Sequence, residues 1–494
     1  MKWRKAMINL GNRRECFFDS FLLNKEKTTA RVLLHQPVLR EKSFSFDKEW
    51  EGCSCSYFNF FYDDSIGKYR LYYLARGTSE YGKLINGIRV CYAESNDGIH
   101  WERPSIGIYE FNGSYHNNIL LEGSDHPRLD NFFVFYDRNP DCPSDERYKA
   151  ILRKVNSGDP AEILCDFALQ CFVSADGIHF HEGWPIHLHG AYDSLNVAYW
   201  DTEAEIYRCY FRWNHEPGNK AVNMKMGTGI RDVRYMTSKD FRTWTEPRIL
   251  EFDDGEDTPL YTNNIQPYYR APQIHIGFPT RYIERKEWNR SFDVLCGRGK
   301  RLKRMETEQR QGLAITDCLF MAGRGSETFT KYDEAFMRPD AECPENWVYG
   351  GCYPFYGLLE TPSVLPGADP EISLFARMNH MMGADYPSDI YRYTIRCDGF
   401  VSMHAGSEEK TVVTRPFTYC GHDLYVNMET SARGYMYFSL ISSNGERTDS
   451  CEMFGNSIDK KIGFDERSVE HLSGQEVVLE VRLQDADLYS IRFC

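Results

Sequence analysis

Ser95-Asn96-Asp97-Gly98-Ile99-His100-Trp101 returns with small changes as Ser174-Ala175-Asp176-Gly177-Ile178-His179-Phe180 and as Ser238-Lys239-Asp240-Phe241-Arg242-Thr243-Trp244. One turn design recurring between aromatic-rich strands, at starts 95, 174 and 238, divides the chain into sheet units too long for single hairpins. Units of that length suit four-stranded propeller blades with variable loops. A decayed fourth copy is Gly323-Arg324-Gly325-Ser326-Glu327-Thr328-Phe329. In the clear copies the Asp can accept backbone N–H bonds, Gly98 and Gly177 can take positive φ, and the aromatic residue can pack back over the turn. Three copies on successive units cannot share one reaction centre, so these aspartates are read as structural.

Strand patterns fill in the units. Residues 57–62, 69–74 and 87–94 make the first, 131–136, 148–152 and 169–173 the second, and 196–238 the third. A fourth runs from Tyr261 to the decayed turn, and a fifth covers residues 347–396. Beyond Gly399 shorter alternating strands at 423–428, 435–440 and 477–483 have no repeat turn, which marks a sheet with one buried and one wet face. The expected fold is all-β: a five-bladed β-propeller over residues 1–404 followed by a C-terminal β-sandwich over 405–494. No helix is predicted, and the basic run from Gly297 to Arg304 reads as a solvated loop.

With 494 residues, 42% of them hydrophobic and 15% aromatic, the chain can fill such a core. Its 72 acidic against 58 basic residues give a net charge of −14, which argues against nucleic acid and favours neutral ligands. Residues 1–10 lack the apolar core of a secretory signal, and no stretch approaches 18 apolar residues, so a cytoplasmic protein without membrane association is expected. The sixteen cysteines sit mostly in aromatic or β-branched runs and read as reduced thiols. Cys53 and Cys55 have no second pair at zinc spacing, and His187 with His189 has no nearby carboxylate, so neither metal nor cofactor is expected.

Five blades, Ser-x-Asp-Gly-x-x-Trp turns and a trailing β-sandwich resemble the five-bladed glycoside hydrolases grouped with invertases, levanases, inulinases and arabinanases, and most of all an invertase-like bacterial branch that shares runs such as residues 90–101. The resemblance implies acidic residues at the inner ends of different blades, one protonating the leaving oxygen and another attacking or activating water. Arg128-Leu129-Asp130-Asn131-Phe132-Phe133-Val134-Phe135 is similar to the family's Arg-Asp-Pro-x-Val-Phe stretch, which makes Asp130 the transition-state stabiliser. Tyr192-Asp193-Ser194-Leu195-Asn196 occupies the place of the general acid, with Asp193 the matching carboxylate and apolar neighbours able to raise its pKa. Blade one departs from the pattern: where the family carries its nucleophile, Trp50-Glu51-Gly52-Cys53-Ser54-Cys55-Ser56 has Cys55. Glu360, ending an apolar strand of the fifth unit, is the expected substitute, ahead of Glu51 and of the acidic loop around Asp257.

Sugars need flat apolar faces beside hydrogen-bonding groups. Asn131, Asn264, Arg281, Trp347, Tyr349 and Tyr353 are the expected substrate-binding residues. The expected function is hydrolysis of a small oligosaccharide or glycoside in the axial funnel, with a carbohydrate as partner, and the terminal module is read either as a buttress of the propeller or as the contact of a homo-oligomer. A transglycosylase or phosphorylase on the same scaffold is the alternative, which an inner cluster of Arg or His would favour. A non-catalytic carbohydrate-binding propeller is the other.

Overall fold

The computed structural model describes residues 7–78, 84–123, 130–155, 167–224, 228–325, 328–343, 346–378, 388–464 and 468–494. Five antiparallel-centred sheets follow one another along the chain, each beginning with its innermost strand. Blade one is Ser56–Asp63, Lys68–Thr78, Leu84–Ser95 and Ile119–Glu122, and blade two is Asp130–Tyr136, Tyr148–Val155, Phe167–Ser174 and His181–Gly190. Blade three is built on Val197–Asp201, Ile206–Glu216 and Ile230–Ser238, and blade four on Gln266–Tyr268, Ala271–Gly277, Ala314–Gly323 and Thr328–Met337. In blade five Tyr353–Pro354 and Leu359–Thr361 both pair with Glu371–Met378, Asp389–Arg396 follows, and Val38–Ser45 from the start of the chain supplies the outer strand. The chain is a five-bladed propeller, and this borrowed strand closes its ring.

The recurring turn follows the third strand of blades one to three and forms as expected. Asp97 accepts from the backbone N–H of Ile99 and His100, both at 2.8 Å, and Asp176 and Asp240 repeat the pattern. Backbone bonds from Thr243 and Arg242 hold the Asp240 carboxyl down to about 2. Gly98 and Gly177 adopt φ of 72° and 76°, and in the third copy Phe241 takes φ 60° in their place. Each turn also leans on the preceding blade. Tyr72 of blade one donates to the Gly177 carbonyl at 2.9 Å, Phe241 packs on Phe135 of blade two, and Trp101 packs on Phe375 of blade five. A Cβ on Gly177 would lie 2.5 Å from the tip of Arg70, and the φ of 76° strains any side chain there, so the position favours glycine.

A second repeat lies at the end of the inner strands. Asp63 pairs with Arg70 at 2.6 Å and accepts from Tyr148 of blade two; Asp137 pairs with Lys149 at 2.7 Å and accepts from Tyr207 of blade three; Asp201 pairs with Arg208 at 2.6 Å and faces His275 of blade four. Burial pushes the Asp63 carboxyl up, but bonds from Ser65 and Tyr148 and the charge of Arg70 outweigh it and leave it below the usual range. Asparagines stitch neighbouring inner strands: Asn59 exchanges two bonds with Val134, Asn131 donates to the Tyr192 carbonyl at 2.8 Å, and Asn264 donates to the Pro354 carbonyl at 3.0 Å.

The terminal module corrects the expected boundary. Ile8–Gly11, Glu15–Cys16 and Arg31–Leu34 pair with Phe417–Tyr419, Val477–Phe493 and Val401–Ala405, so residues 8–34 belong with the C-terminal strands and not with the propeller. Strand partners such as Ile8 with Phe417, Glu15 with Ile491 and Leu34 with Val401, far apart in the chain, leave no local signal, which is why the sequence placed them in the first domain. In hydrogen bonding the module is one ten-stranded sheet, built on the long strands Leu424–Ser442 and Val477–Phe493. Val477, Leu479, Val481 and Leu483 alternate inward onto one core with Met428, Phe438 and Leu440.

Helices are the second correction. The basic run forms the helix Arg298–Thr307, flanked by Arg290–Val294 and Gln309–Leu313. Arg301 and Arg304, three apart, share a buried face: Arg301 donates to the carbonyls of Gly312 and Trp347, and Arg304 to the Gln311 side chain. A further short helix, of 3-10 type, spans Val469–Leu472 in the terminal module. The decayed turn at Gly325 runs into residues 326–327, which lie outside the described residues. Among the described residues no helix is long and apolar enough to cross a membrane.

Asp398 locks the two modules together. Fully buried, it accepts from Arg14 at 3.1 Å, Arg270 at 2.9 Å, Tyr268 at 2.7 Å, Asn427 at 3.1 Å and Ser490 at 2.8 Å. Burial raises its pKa, but the charges of Arg14 and Arg270 outweigh burial and hold the carboxyl below its usual value. A depressed folded pKa gives stability that is present above the unfolded value of about 3.9 and is lost as pH falls below it. Urea midpoints measured between pH 7 and pH 3 should therefore fall on acidification, and Asp398→Asn should lose about 3–5 kcal/mol at pH 7 while showing a smaller acid dependence.

Candidate active site

The starts of the inner strands converge on one mouth of the ring. Backbone there is unusual: Tyr57, Asn131, Tyr192, Asn264 and Cys352, one at the head of each blade, have φ of 54°, 58°, 37°, 47° and 54°. Left-handed backbone at non-glycine residues costs free energy and is held only where surrounding structure overdetermines it, as at binding clefts. These segments enclose a cavity of about 300 Å³ whose wall includes Tyr57, Asp130, Asp193, Tyr261, Asn264 and Tyr353.

Asp130 and Asp193 meet on one guanidinium. Arg153 donates through Nη2 to Asp130 at 2.5 Å and through Nη1 to Asp193 at 2.8 Å. Carboxylate oxygens held by the two terminal nitrogens of one planar fork lie within roughly 8 Å of each other. Arg76 holds the second oxygen of Asp130, and Arg212 lies 3.4 Å from the second oxygen of Asp193 and also donates to its main-chain carbonyl. Burial alone would raise the Asp130 carboxyl; the charges of Arg76 and Arg153 outweigh it and hold the group ionised below the usual range. Asp193 is more open, with its side chain 26% exposed, and its surroundings are guanidiniums in place of the expected apolar neighbours. Burial pushes the Tyr57 phenol up, so it faces the cavity as a protonated donor.

The arginines were missed in the sequence, although a signal exists. Leu71-Tyr72-Tyr73-Leu74-Ala75-Arg76, Ala150-Ile151-Leu152-Arg153, Cys209-Tyr210-Phe211-Arg212 and Leu374-Phe375-Ala376-Arg377 are apolar runs that each end in Arg, all on the second strand of a blade. Antiparallel pairing sets these positions against the head of the inner strand, with Arg153 opposite Asp130 and Arg377 opposite Tyr353. Blade four ends its second strand at Gly277.

Of the expected substrate-binding residues, Asn264, Tyr349 and Tyr353 line the cavity. Asn131 does not; fully buried, it spends its amide on the Tyr192 carbonyl and thereby fixes the loop carrying Asp193 beside Asp130. Glu360 is a correction: it accepts from Tyr269 at 2.8 Å, lies near Arg270, and lines a separate cavity formed by the opposite ends of the inner strands, with Tyr62, Tyr136 and Trp200. A strand of three residues carries it past the axis to the far mouth. Arg281 is likewise spent on Asp317 at 2.9 and 2.6 Å, and Trp347 donates to the Asp340 carbonyl beside another groove. Glu51 is buried under Tyr73 and Arg103, and Cys55 is buried too, so among the described residues blade one brings Arg76 and Tyr57 to the cavity and no carboxylate. Among the described residues no three His, Cys, Asp or Glu side chains group as metal ligands.

The chain is similar in fold to glycoside hydrolases. A GH32 β-fructofuranosidase from Bombyx mori aligns over 93% of this chain and 94% of its own at 10% identity and a TM-score of 0.38. A family 43 arabinoxylan arabinofuranohydrolase from Bacillus subtilis, in complex with cellotetraose, aligns over 93% and 99% at 10% identity and 0.40. An N-acetylgalactosamine deacetylase from F. plautii aligns over 74% and 96% at 10% identity and 0.43. No protein-family model matches the chain, and no curated protein matches it. These likenesses assign neither substrate nor catalytic residue, which must come from the cavity itself.

Arg153 is the shared counter-charge, so removing it leaves two partly buried carboxylates facing each other. Arg153→Met should destabilise the protein by about 3–5 kcal/mol in urea unfolding at pH 7, and Arg153→Met combined with Asp130→Asn should recover part of that loss. Equal stability of Arg153→Met and wild type would show that the bridge carries no weight.

Proposed function

We propose that the axial cavity cleaves a glycosidic bond and that the chain is a glycoside hydrolase acting on a small oligosaccharide or glycoside, a furanoside by resemblance. The observation that carries this reading is the meeting of Asp130 and Asp193, from two blades, on Arg153 inside a cavity walled by tyrosines and an asparagine. Asp130, held ionised, stabilises the positive charge that develops at the anomeric carbon, and Asp193 stands in the general-acid place that the resemblance implies, to protonate the leaving oxygen. Among the described residues blade one supplies no carboxylate to the cavity; in this reading water attacks, its oxygen bonding to the anomeric carbon as the bond to the leaving oxygen breaks, and Asp130 takes the proton the water gives up.

Phosphorolysis is the second reading. The arginines around the mouth favour it, because phosphate can then take the place of water. Core-packed free thiols support a reducing, cytoplasmic setting for either activity. A screen of aryl glycosides and oligosaccharides with product analysis tests the reading. Asp130→Asn and Asp193→Asn should each lower kcat/KM by about 100-fold or more, with Glu360→Gln near wild type. Sugar binding without turnover of any glycoside would instead identify a carbohydrate-binding propeller.

A further inference from the structure

Four arginines stand towards the ends of the second strands of blades one, two, three and five, at the mouth formed by the heads of the inner strands, and two carboxylates answer them. Arg76 takes Asp130, Arg153 takes both, and Arg212 takes Asp193. Arg377 is different. It lines the same cavity at 3% exposure, donates to the carbonyls of Cys55 at 2.8 Å and Gly350 at 3.0 Å, and has no carboxylate partner among the described residues. Its Nε has no partner there either. A guanidinium offers five N–H donors, and two are spent, both on neutral dipoles. The ring of Tyr353 lies beneath it, 5.0 Å from the guanidinium carbon to the ring centroid, which orients the fork without neutralising it.

A buried cation with no counter-ion among the described residues is expensive, and Arg377 lines the cavity. The whole chain carries −14, so this local positive excess runs against its overall charge. We propose that Arg377 anchors an oxyanion subsite in the axial cavity, taking a carboxylate, sulfate or phosphate that arrives either as an acidic group on the sugar or as inorganic phosphate. The protonation behaviour agrees with the geometry. Burial lowers the Arg377 guanidinium below its ordinary value, whereas at Arg153 the charges of Asp130 and Asp193 overcome burial and raise it.

The location of the subsite rests on the coordinates; its part in turnover rests on the glycoside-cleavage reading. If phosphate is the oxyanion, one of its oxygens bonds to the anomeric carbon as the bond from that carbon to the leaving oxygen breaks. The leaving oxygen takes the Asp193 proton, and the products are a sugar 1-phosphate and the free acceptor sugar. If the sugar carries the anion, water attacks and the acidic group stays on the substrate.

Calorimetric titration of the full chain at fixed ionic strength with inorganic phosphate, sulfate, glucuronate and neutral glucose tests the subsite. Saturable binding of at least one anion is expected, weakened by about 30-fold or more in Arg377→Gln and by less in Arg377→Lys. Absence of saturable binding of all three anions by wild type overturns the proposal, whether or not the variants fold, as does unchanged anion binding in folded Arg377→Gln. Turnover assays separate the sources. Phosphate-dependent release of a sugar 1-phosphate assigns the subsite to the co-substrate, and phosphate-independent turnover confined to uronate-bearing or sulfated glycosides assigns it to the sugar. Full-rate cleavage of neutral glycosides without phosphate overturns it. Anion binding lost in Arg377→Gln, with no glycoside turned over, would uphold the subsite and remove the glycosidase reading.

Discussion

Each blade that ends its third strand in the Ser-x-Asp turn lays that turn across the blade before it, and this contact is what makes a ring out of separate sheets. The Gly177 carbonyl under Tyr72, Phe241 against Phe135 and Trp101 against Phe375 are the same joint made three times. Because the joint is repeated, the inner strands arrive in phase: all their heads face one mouth and all their ends the other. The outer strand Val38–Ser45 completes the ring on blade five, and Asp398 ties the ring to the terminal sheet.

Phase decides chemistry. At the ends of the inner strands an Asp, a cation and a side chain of the next blade satisfy one another at three successive blades, leaving closed structural pairs. At the heads the pairing is shared and incomplete: Arg153 serves two carboxylates, while Arg377 has carbonyls and the Tyr353 ring but no carboxylate among the described residues. Buried charge that is fully paired inside the fold is stable as it stands, whereas a buried charge without its counter-charge is costly, and the proposed subsite is where a ligand would supply one.

The fold was largely legible because its signal is local and repeated. Turn chemistry at Asp97, Asp176 and Asp240 and apolar alternation in the strands counted the blades without any long-range information. What escaped was non-local or masked by composition. Residues 8–34 pair with strands near the other end of the chain, and the run from Gly297 to Arg304 looked solvated because its buried face consists of arginines. In the candidate site Asp130 and Asp193 were legible by motif and the structure brings them together, whereas Glu360 was chosen by proximity to an apolar strand, a rule blind to which end of the strand faces which mouth. The arginines went unread one at a time; only their common place on the second strand gives them meaning.

The account stands on the head of the inner strands being the reacting mouth. A crystal structure of Asp193→Asn soaked with a glycoside that wild type turns over tests this directly. The account predicts a sugar seated in the cavity between Tyr57, Tyr353 and Asp130, with its glycosidic oxygen in hydrogen-bond reach of the residue 193 side chain. A sugar ordered instead at the far mouth among Tyr62, Trp200 and Glu360, with the first cavity empty, would contradict it.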